Sequence, residues 1–555
     1  MPILGKVGFY LDDWATLCQL NFGPREQGLW ALMYNYGCNN SLVIIRPIEA
    51  LHFSLAFWNF GLNPLPWHIL NVVFEIAVAL LTCAIIRRLT RSVAVGFFAA
   101  VFVLLCPTHD SSHYWVVCSS VTLSFALYLA SLLANIAALS SRSNSGKIVW
   151  YSLSALLFLL SLFNYEIFMP LAAVNIVVAL YFGARGRLAG LEGPSKLTAL
   201  KSLVLSSLLT IATMVLPVVS LVFYLKLIVP SISSSSMRAI HFDIFVFLNT
   251  VLKGIELNTP ISFCHFVFAR AQEGLDGLSR SGYIAIFAIT AITVAAVGWL
   301  RQCEALKAAD IDAKPPVTIA GVPLIALGLF TVVVSYTIFG LCPDYPPTYM
   351  TLFNRINTGA SFGLVLLFSG VFSLPLSKYR WLLAIQQYSL VVSSAVFAMV
   401  FTLADVGLSK PWIASWVTQK HIQRKLTEEF QGLPKDASLL LLNCPRYVMW
   451  APVYDGVWDF QNTVRIFLGR KDVNAGVVSE RLVLSKDGVK DISRGTECGA
   501  YPFRSLYLLA APDCSSLHAD TPEKFVKFVE RDGMGFGLQQ QAVNGWKLEA
   551  ARLAR

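Results

Sequence analysis

Ten stretches of this chain are long and apolar enough to bury a helix on every side, and that fact restricts the fold more than any motif does. They run over about 68–86, 92–106, 115–139, 148–163, 167–183, 202–229, 282–300, 317–340, 358–376 and 381–404. A helix needs about 20 mostly apolar residues to cross the hydrocarbon core of a bilayer. An eleventh, weaker stretch at 42–60 carries Arg46, Pro47, Glu49 and His52, so an interfacial or re-entrant helix is expected there rather than a span. The expected fold class is therefore a polytopic α-helical membrane protein of about 11 spans. Hydrophobic residues make up 56% of the chain and charged residues only 14%, against about 25% charged in a soluble globule.

The positive charges then set an orientation, because short cytoplasmic loops collect Lys and Arg. With the N-terminal segment external, the inward turns hold Arg87, Arg88 and Arg91; Arg142 and Lys147; Arg185, Arg187, Lys196 and Lys201; Arg301, Lys307 and Lys314; and Lys378 and Arg380. Only Glu192, Glu304, Asp310 and Asp312 oppose them. The outward segments are 12–67, 107–114, 164–166, 231–281 and 341–357, followed by the tail. The net charge of +10 is thus accounted for by the loops, and with no basic stripe interleaved with aromatics, no nucleic-acid partner is expected.

The tail differs in kind. Beyond Ala404 the hydropathy falls, and short apolar runs such as Ser438 to Leu442 and Leu506 to Ala511 alternate with the amphipathic stretch Glu523 to Arg531. Two domains are expected, a transmembrane domain over 1–404 with outer loops and an extracytoplasmic soluble α/β domain over 405–555. No internal repeat is evident, and one low-complexity patch, Ser233 to Ser236, lies in an outer loop. Eleven Cys are scattered without CxxC or Cys/His metal spacing, and Cys83, Cys106 and Cys118 lie in apolar runs. In an oxidising exterior Cys498 and Cys514, or Cys18 and Cys38, are candidates to pair, with no connectivity fixed by spacing.

Short polar clusters all fall on the outward side: Asp12-Asp13-Trp14; His109-Asp110 with His113, in the turn from Pro107 to Trp115; and Tyr165-Glu166. Ionisable groups at membrane depth are costly and mark functional sites by default. Of two neighbouring carboxylates, one that stays ionised can take a proton from a hydroxyl or hold a divalent cation. Each cluster also has a structural reading. Asp12 and Asp13 could cap a helix that begins at Trp14, His109 and Asp110 could form a solvated turn, and Glu166 could pair with an Arg of a neighbouring helix. Arg355, at the mouth of a span after a Pro-rich loop, could grip two phosphate oxygens or simply anchor at the interface.

The order of these features resembles the GT-C superfamily of membrane glycosyltransferases, in particular its protein O-mannosyltransferase-like branch (glycosyltransferase family 39-like). The matching residues are Asp12-Asp13-Trp14, Arg46-Pro47, Trp67-His68-Ile69-Leu70-Asn71, Pro107-Thr108-His109-Asp110 with Trp115, and Tyr165-Glu166 before Pro170. Motifs cover roughly the first 180 residues and architecture alone the rest. The resemblance implies an inverting hexosyltransferase that moves a sugar from a polyprenyl-phosphate donor, among membrane lipids, to a glycan, lipid or protein acceptor on the periplasmic or lumenal face. A bacterial inner membrane is the expected setting, in protein glycosylation or cell-envelope assembly. Asp12, Asp13, Asp110 and Glu166 are the expected catalytic residues, with Asp12 or Asp13 as base. Arg46, His109, His113 and Arg355 are the expected substrate ligands. No cofactor is implied beyond a divalent metal that Asp12 and Asp13 could hold. The family's first span precedes the acidic pair, whereas only Met1 to Leu11 stand before Asp12 here, so the true start is expected upstream, with about twelve spans in all. The competing classes are a lipid-linked sugar transporter or flippase, which would show duplicated halves, and a non-catalytic subunit of a glycan assembly complex.

Overall fold

The computed structural model describes residues 3–40, 43–141, 143–188, 195–232, 242–308, 319–342, 345–374, 380–493, 496–511, 515–532 and 540–553. Arg142, Glu192, Ser233 to Ser236, Asp310, Asp312, Lys314, Lys378 and Cys514 lie outside the described residues.

Apolar periodicity, Pro and Gly punctuate the first half into α1 (Asp12–Asn21), α2 (Leu29–Asn39), α3 (Pro47–Phe60), α4 (Pro64–Thr90), α5 (Val93–Leu105), the single turn α6 (Ser111–Tyr114), α7 (Ser119–Ser140), α8 (Asn144–Asn164), α9 (Ala172–Leu188) and α10 (Ser195–Phe223). Then follow α11 (Val229–Ile232), α12 (Ile244–Leu257), α13 (Pro260–Leu275), α14 (Arg280–Ala308), α15 (Val322–Ser335), α16 (Thr358–Phe372) and α17 (Arg380–Glu429). Among the described residues eight helices are long and apolar enough to cross a membrane, and Val93–His109 and Glu166–Phe182 are shorter apolar helices. All ten coincide with the ten strong apolar stretches of the sequence. The eleventh is α3, whose 14 residues are too few to cross. It starts with Pro47 at its first position and stops at Gly61, whose φ of 54° ends the helix. The chain is an integral membrane protein with a mostly helical membrane domain.

Small and polar residues decide how the helices pack, because lipid offers no hydrophobic drive between them. Between α7 and α8 the serines bond reciprocally across the interface. Ser124 Oγ donates to Ser161 O at 2.7 Å and Ser161 Oγ to Ser124 O at 2.8 Å, and Ser131 and Ser154 repeat the pattern at 2.8 and 2.9 Å. Between α15 and α16 the backbones touch at Gly328 and Gly363. A Cβ on Gly328 would come within 2.5 Å of Leu367 N and 2.7 Å of Gly363 O.

Contacts also sort the bundle into two ends. At one, the turn from α4 to α5 is sealed by Glu304 of α14, whose carboxylate accepts from Val93 N, from Ala94 N at 3.2 Å and from Ser92 Oγ at 3.1 Å. Arg87, Arg88, Arg91 and Arg301 therefore share that end. The acidic and histidine clusters meet at the other.

Beyond Ala404 there is no break in the backbone, and α17 runs unbroken to Glu429. The drop in hydropathy marks where this helix leaves apolar surroundings, and the α/β region follows it. Strands β1 (Ser438–Leu442), β2 (Tyr447–Val448), β3 (Ala451–Pro452), β4 (Asn474–Val477), β5 (Leu482–Leu484), β6 (Gly488–Ser493), β7 (Thr496–Pro502), β8 (Leu506–Ala510) and β9 (Ser515–His518) occur with helices α18 (Val457–Leu468), α19 (Pro522–Asp532) and α20 (Gln540–Leu553). The main sheet has the order β4-β1-β8-β9, parallel except for the edge strand β9. All five residues of β1 are buried, as expected of a central parallel strand covered on both faces. Cys18 and Cys38 are free thiols. The expected pairing of Cys18 with Cys38 is thus absent: Cys18 is buried in α1 and Cys38 lies near the end of α2.

Candidate functional site

Residue Leu11 has φ 45° and ψ −113°, a strained combination for a leucine, and from it α1 begins directly with Asp12 and Asp13. Neither caps a helix beginning at Trp14, since the helix already includes them. Asp13 is 1% exposed and both its oxygens are engaged. Tyr10 N donates to Oδ2 at 2.8 Å and Val117 N, at the head of the α7 span, to Oδ1 at 2.7 Å. Burial pushes this carboxyl above its usual range while the two N–H donors pull against it. Asp12, on the same turn, is only half-buried.

Tyr10 is the hub beneath the pair. Its hydroxyl donates to Trp412 O at 2.8 Å, and its carbonyl accepts from Trp115 Nε1 at 2.8 Å. The face of the same Trp115 ring holds the Arg355 guanidinium, with Cζ 5.2 Å from a ring centroid, and Tyr345 flanks it at 5.7 Å. One tryptophan therefore joins the backbone under the acidic pair to Arg355. Like the acidic pair, Arg355 follows a strained residue: Thr351 has φ 83° and opens the short helix Leu352–Asn357.

Two further expected residues meet nearby. Arg46 Nε lies 2.8 Å from Glu166 Oε2 and Nη2 lies 2.7 Å from Oε1, a bidentate pair, and Nη1 reaches Glu49 at 3.4 Å. The Arg46 guanidinium stacks 4.0 Å above the Tyr165 ring, and the Tyr165 hydroxyl is a partner of Arg355. Glu49 is buried against Arg46, Glu166 and Asp12, and desolvation raises its carboxyl to about 7. Asp12, Asp13, Glu49 and Arg355 all act electrostatically on the Cys118 thiol, so these charges lie at the same end of the bundle.

Asp110, His109 and His113 are turned elsewhere. Asp110 accepts from Asn354 Nδ2 and, at 2.9 Å, from Trp412 Nε1. Ser111 donates from both N and Oγ to Asn354 Oδ1, and Asn357 Nδ2 donates to Thr108 O at 2.9 Å. The turn Pro107 to Tyr114 is thereby laced to the short helix that carries Arg355, and Asp110 positions that helix. Burial raises the Asp110 carboxyl to about 6, and its Trp412 and Asn354 donors limit the rise. His113 Nδ1 lies 2.7 Å from Glu75 of α4, and the His109 ring packs edge-on against His113 at 5.0 Å. Both histidines face the bundle interior.

Several members of the site were not singled out from sequence. Trp115 and Tyr165 were quoted only as parts of motifs, and Glu49 only as a mark against a span. Glu75 had a legible signal, being the one charged residue between Trp67 and Ile86. For a metal, the fit is poor. Both Asp13 oxygens are held by backbone N–H groups, and among the described residues no three His, Cys, Asp or Glu are grouped to hold an ion.

Fold and site together define an integral membrane protein that gathers carboxylates and two stacked arginines at one end of its helical bundle, beneath an α/β domain. No protein-family model and no curated protein matches the chain. It is similar to the crystal structure of ArnT from Cupriavidus metallidurans bound to undecaprenyl phosphate, with a TM-score of 0.35 and 12% identity over 85% of this chain and 83% of that one. The same protein in the apo state gives a TM-score of 0.31 and 12% identity over 78% of this chain and 75% of that one.

Proposed function

We propose that the chain is a GT-C-type membrane glycosyltransferase that moves a sugar from a polyprenyl-phosphate donor to an acceptor hydroxyl at the extracytoplasmic face, with inversion at the anomeric carbon. The observation that carries this reading is the junction at Trp115, whose indole N–H holds the Tyr10 carbonyl just before the carboxylate pair and whose ring face holds the half-buried Arg355 guanidinium. A polyprenyl phosphate is a good leaving group, so the reaction asks for a base at the acceptor and a cation at the departing phosphate.

Asp12 is the base. Asp13 has both oxygens committed to backbone N–H groups and holds α1 in register, whereas Asp12 on the same turn is half-buried rather than enclosed. The acceptor oxygen attacks the anomeric carbon as its proton passes to Asp12, and the bond to phosphate oxygen breaks with the electron pair leaving on phosphate. Arg355 receives that charge, since its guanidinium is stacked on aromatic rings and hydrogen-bonded to Leu352 O, at 2.6 Å from Nη1, and to the Tyr165 hydroxyl, with no carboxylate paired to it among the described residues. Arg46 is engaged by Glu166 and Glu49, and its role is to fix the floor under Tyr165. The domain over 405–555 lies on this face and presents the acceptor. A bacterial inner membrane with a periplasmic site is the setting this reading takes.

The test is transfer of labelled sugar from polyprenyl-phosphate donors by purified protein in lipid, beside Asp12→Asn. Transfer that disappears in the variant supports the reading. Absence of turnover and of donor hydrolysis with every donor tried, in folded protein, removes it.

A further inference from the structure

Apart from the cluster around Trp115, a second set of ionisable groups is enclosed between helices of the membrane domain. Glu75 of α4 lies with its Oε1 2.7 Å from His113 Nδ1 and 3.2 Å from Asn71 Nδ2, and the two side chains of the ion pair are 15% and 13% exposed. Asn71 Nδ2 also donates to Ser112 O at 2.7 Å, which fixes the turn carrying His113 against α4. Asp405 of α17 and Asp110 face the same imidazole, and Tyr114 OH donates to Asp405 O at 3.1 Å. Thus three carboxylates surround one basic group.

Next to the pair is a cavity of about 20 Å³ lined by Glu75, His109, Ser112, His113, Thr122 and Thr358 together with apolar side chains. Four of these residues bring buried polar atoms that have no partner: His109 Nδ1, Ser112 Oγ, His113 Nε2 and Thr122 Oγ1. Four unpartnered polar atoms around one void are costly in a low-dielectric interior. A void of this size with several polar partners holds one water. Such a water accepts from His113 Nε2–H, donates to His109 Nδ1 and bonds the two hydroxyls.

We propose that Glu75, His113 and His109, closed by one water in this cavity, form a proton-binding site inside the membrane domain. The ligand is a proton, shared along Glu75, His113, the water and His109. The geometry points the same way: among the described residues His113 is the one basic group paired with Glu75, at 2.7 Å. The cavity residues from the helices packed against the pair, Thr122 and Phe125 of α7 and Thr358 of α16, carry no charge. The junction of α4, α6 and α17 is therefore held by one exchangeable proton, which is independent of any sugar transfer at the Trp115 cluster.

The experiment is nitrogen-15 NMR of the full chain in nanodiscs with labelled histidine, of which there are eight. His113→Gln assigns the signal, and Glu75→Gln tests its cause. The expected result is one imidazolium resonance that persists at least one pH unit above the ordinary histidine midpoint of about 6.5, and that falls by at least one unit, tenfold in proton affinity, in Glu75→Gln. If His113→Gln does not fold, the wild-type spectrum alone decides, because the absence of any imidazolium signal above pH 8 overturns the proposal. An unchanged midpoint in Glu75→Gln also overturns it. An experimental density map fine enough to show ordered water is expected to place one in the cavity, and a dry cavity overturns the closed chain.

Discussion

Arg46 and Glu166 stand 120 residues apart in the chain and meet through two parallel hydrogen bonds of 2.8 and 2.7 Å, with the Tyr165 ring against the guanidinium face at 4.0 Å. A lysine cannot reproduce that fork. Arg46→Lys is expected to destabilise the protein by roughly 1–3 kcal/mol, the range for charge-assisted hydrogen bonds. Thermal unfolding in detergent checks it, and the same loss in Glu166→Gln, without further loss in the double variant, identifies the pair as the cause.

The two adjacent aspartates are expected to part ways. Asp12→Asn lowers transfer by about 10²–10⁴-fold, the span for a general base, with the unfolding temperature unchanged. Asp13→Asn gives up one of the two backbone N–H contacts and lowers the unfolding temperature along with the activity. Paired measurements of turnover and melting on the two variants distinguish these outcomes.

The end of α17 and the α/β domain that follows it together grip the helix of the acidic pair. Trp14 Nε1 donates to Gln419 Oε1 at 2.9 Å, the Trp14 ring packs on Trp416 and Phe467, and Lys471 Nζ reaches Phe22 O at 3.2 Å. Gln419→Leu leaves the buried indole N–H without an acceptor, a cost of about 1–3 kcal/mol. Proteolysis of the α1 region is expected to quicken in that variant relative to wild type.

Stability is expected to fall in alkali. His113, at the end of α6, is held up to about 9 by Glu75, Asp405 and Asp110, against burial that pulls it down. A raised folded-state value means that the stabilisation is complete below about pH 6.5 and is lost as pH rises through about 9, about 3 kcal/mol in all. Asp110 at about 6 and Glu49 at about 7 titrate earlier, and buried thiols such as Cys18 also favour unfolding in alkali, so the difference between the melting series of wild type and Glu75→Gln from pH 8 to 10 isolates the histidine. Glu75→Gln is expected to flatten the series.

Gly328→Leu is expected to separate α15 from α16, because the added atoms meet Leu367 N and Gly363 O in the backbone rather than a movable side chain. Overpacking of this kind costs about 1–3 kcal/mol or more. Alanine at Ser154, by comparison, removes one side of a reciprocal serine contact, about 0.6 kcal/mol on average for such bonds in membranes.

Among the described residues the eight helices long enough to cross a membrane, and the two shorter apolar ones, could be read from residue order alone, because a helix in lipid must satisfy its own backbone and so needs an apolar run. The α/β character of the tail was legible for a related reason. Runs such as Ser438 to Leu442 and Leu506 to Ala510 are short and wholly apolar, and they do pair as parallel strands in the core of a sheet. Sequence also named the charged groups, since a charge near a membrane is conspicuous. What it could not assign was their partners. Asp12 and Asp13 are adjacent and chemically identical, and the backbone N–H of Val117, arriving from more than 100 residues away, helps to enclose Asp13 while Asp12 stays half-buried. His113 looked like a phosphate ligand beside Asp110, yet the helical packing turns it to Glu75 in the interior. Hydropathy is a property of each residue and its near neighbours, whereas hydrogen bonds and ion pairs act over about 3 Å between groups that only the packed helices bring together.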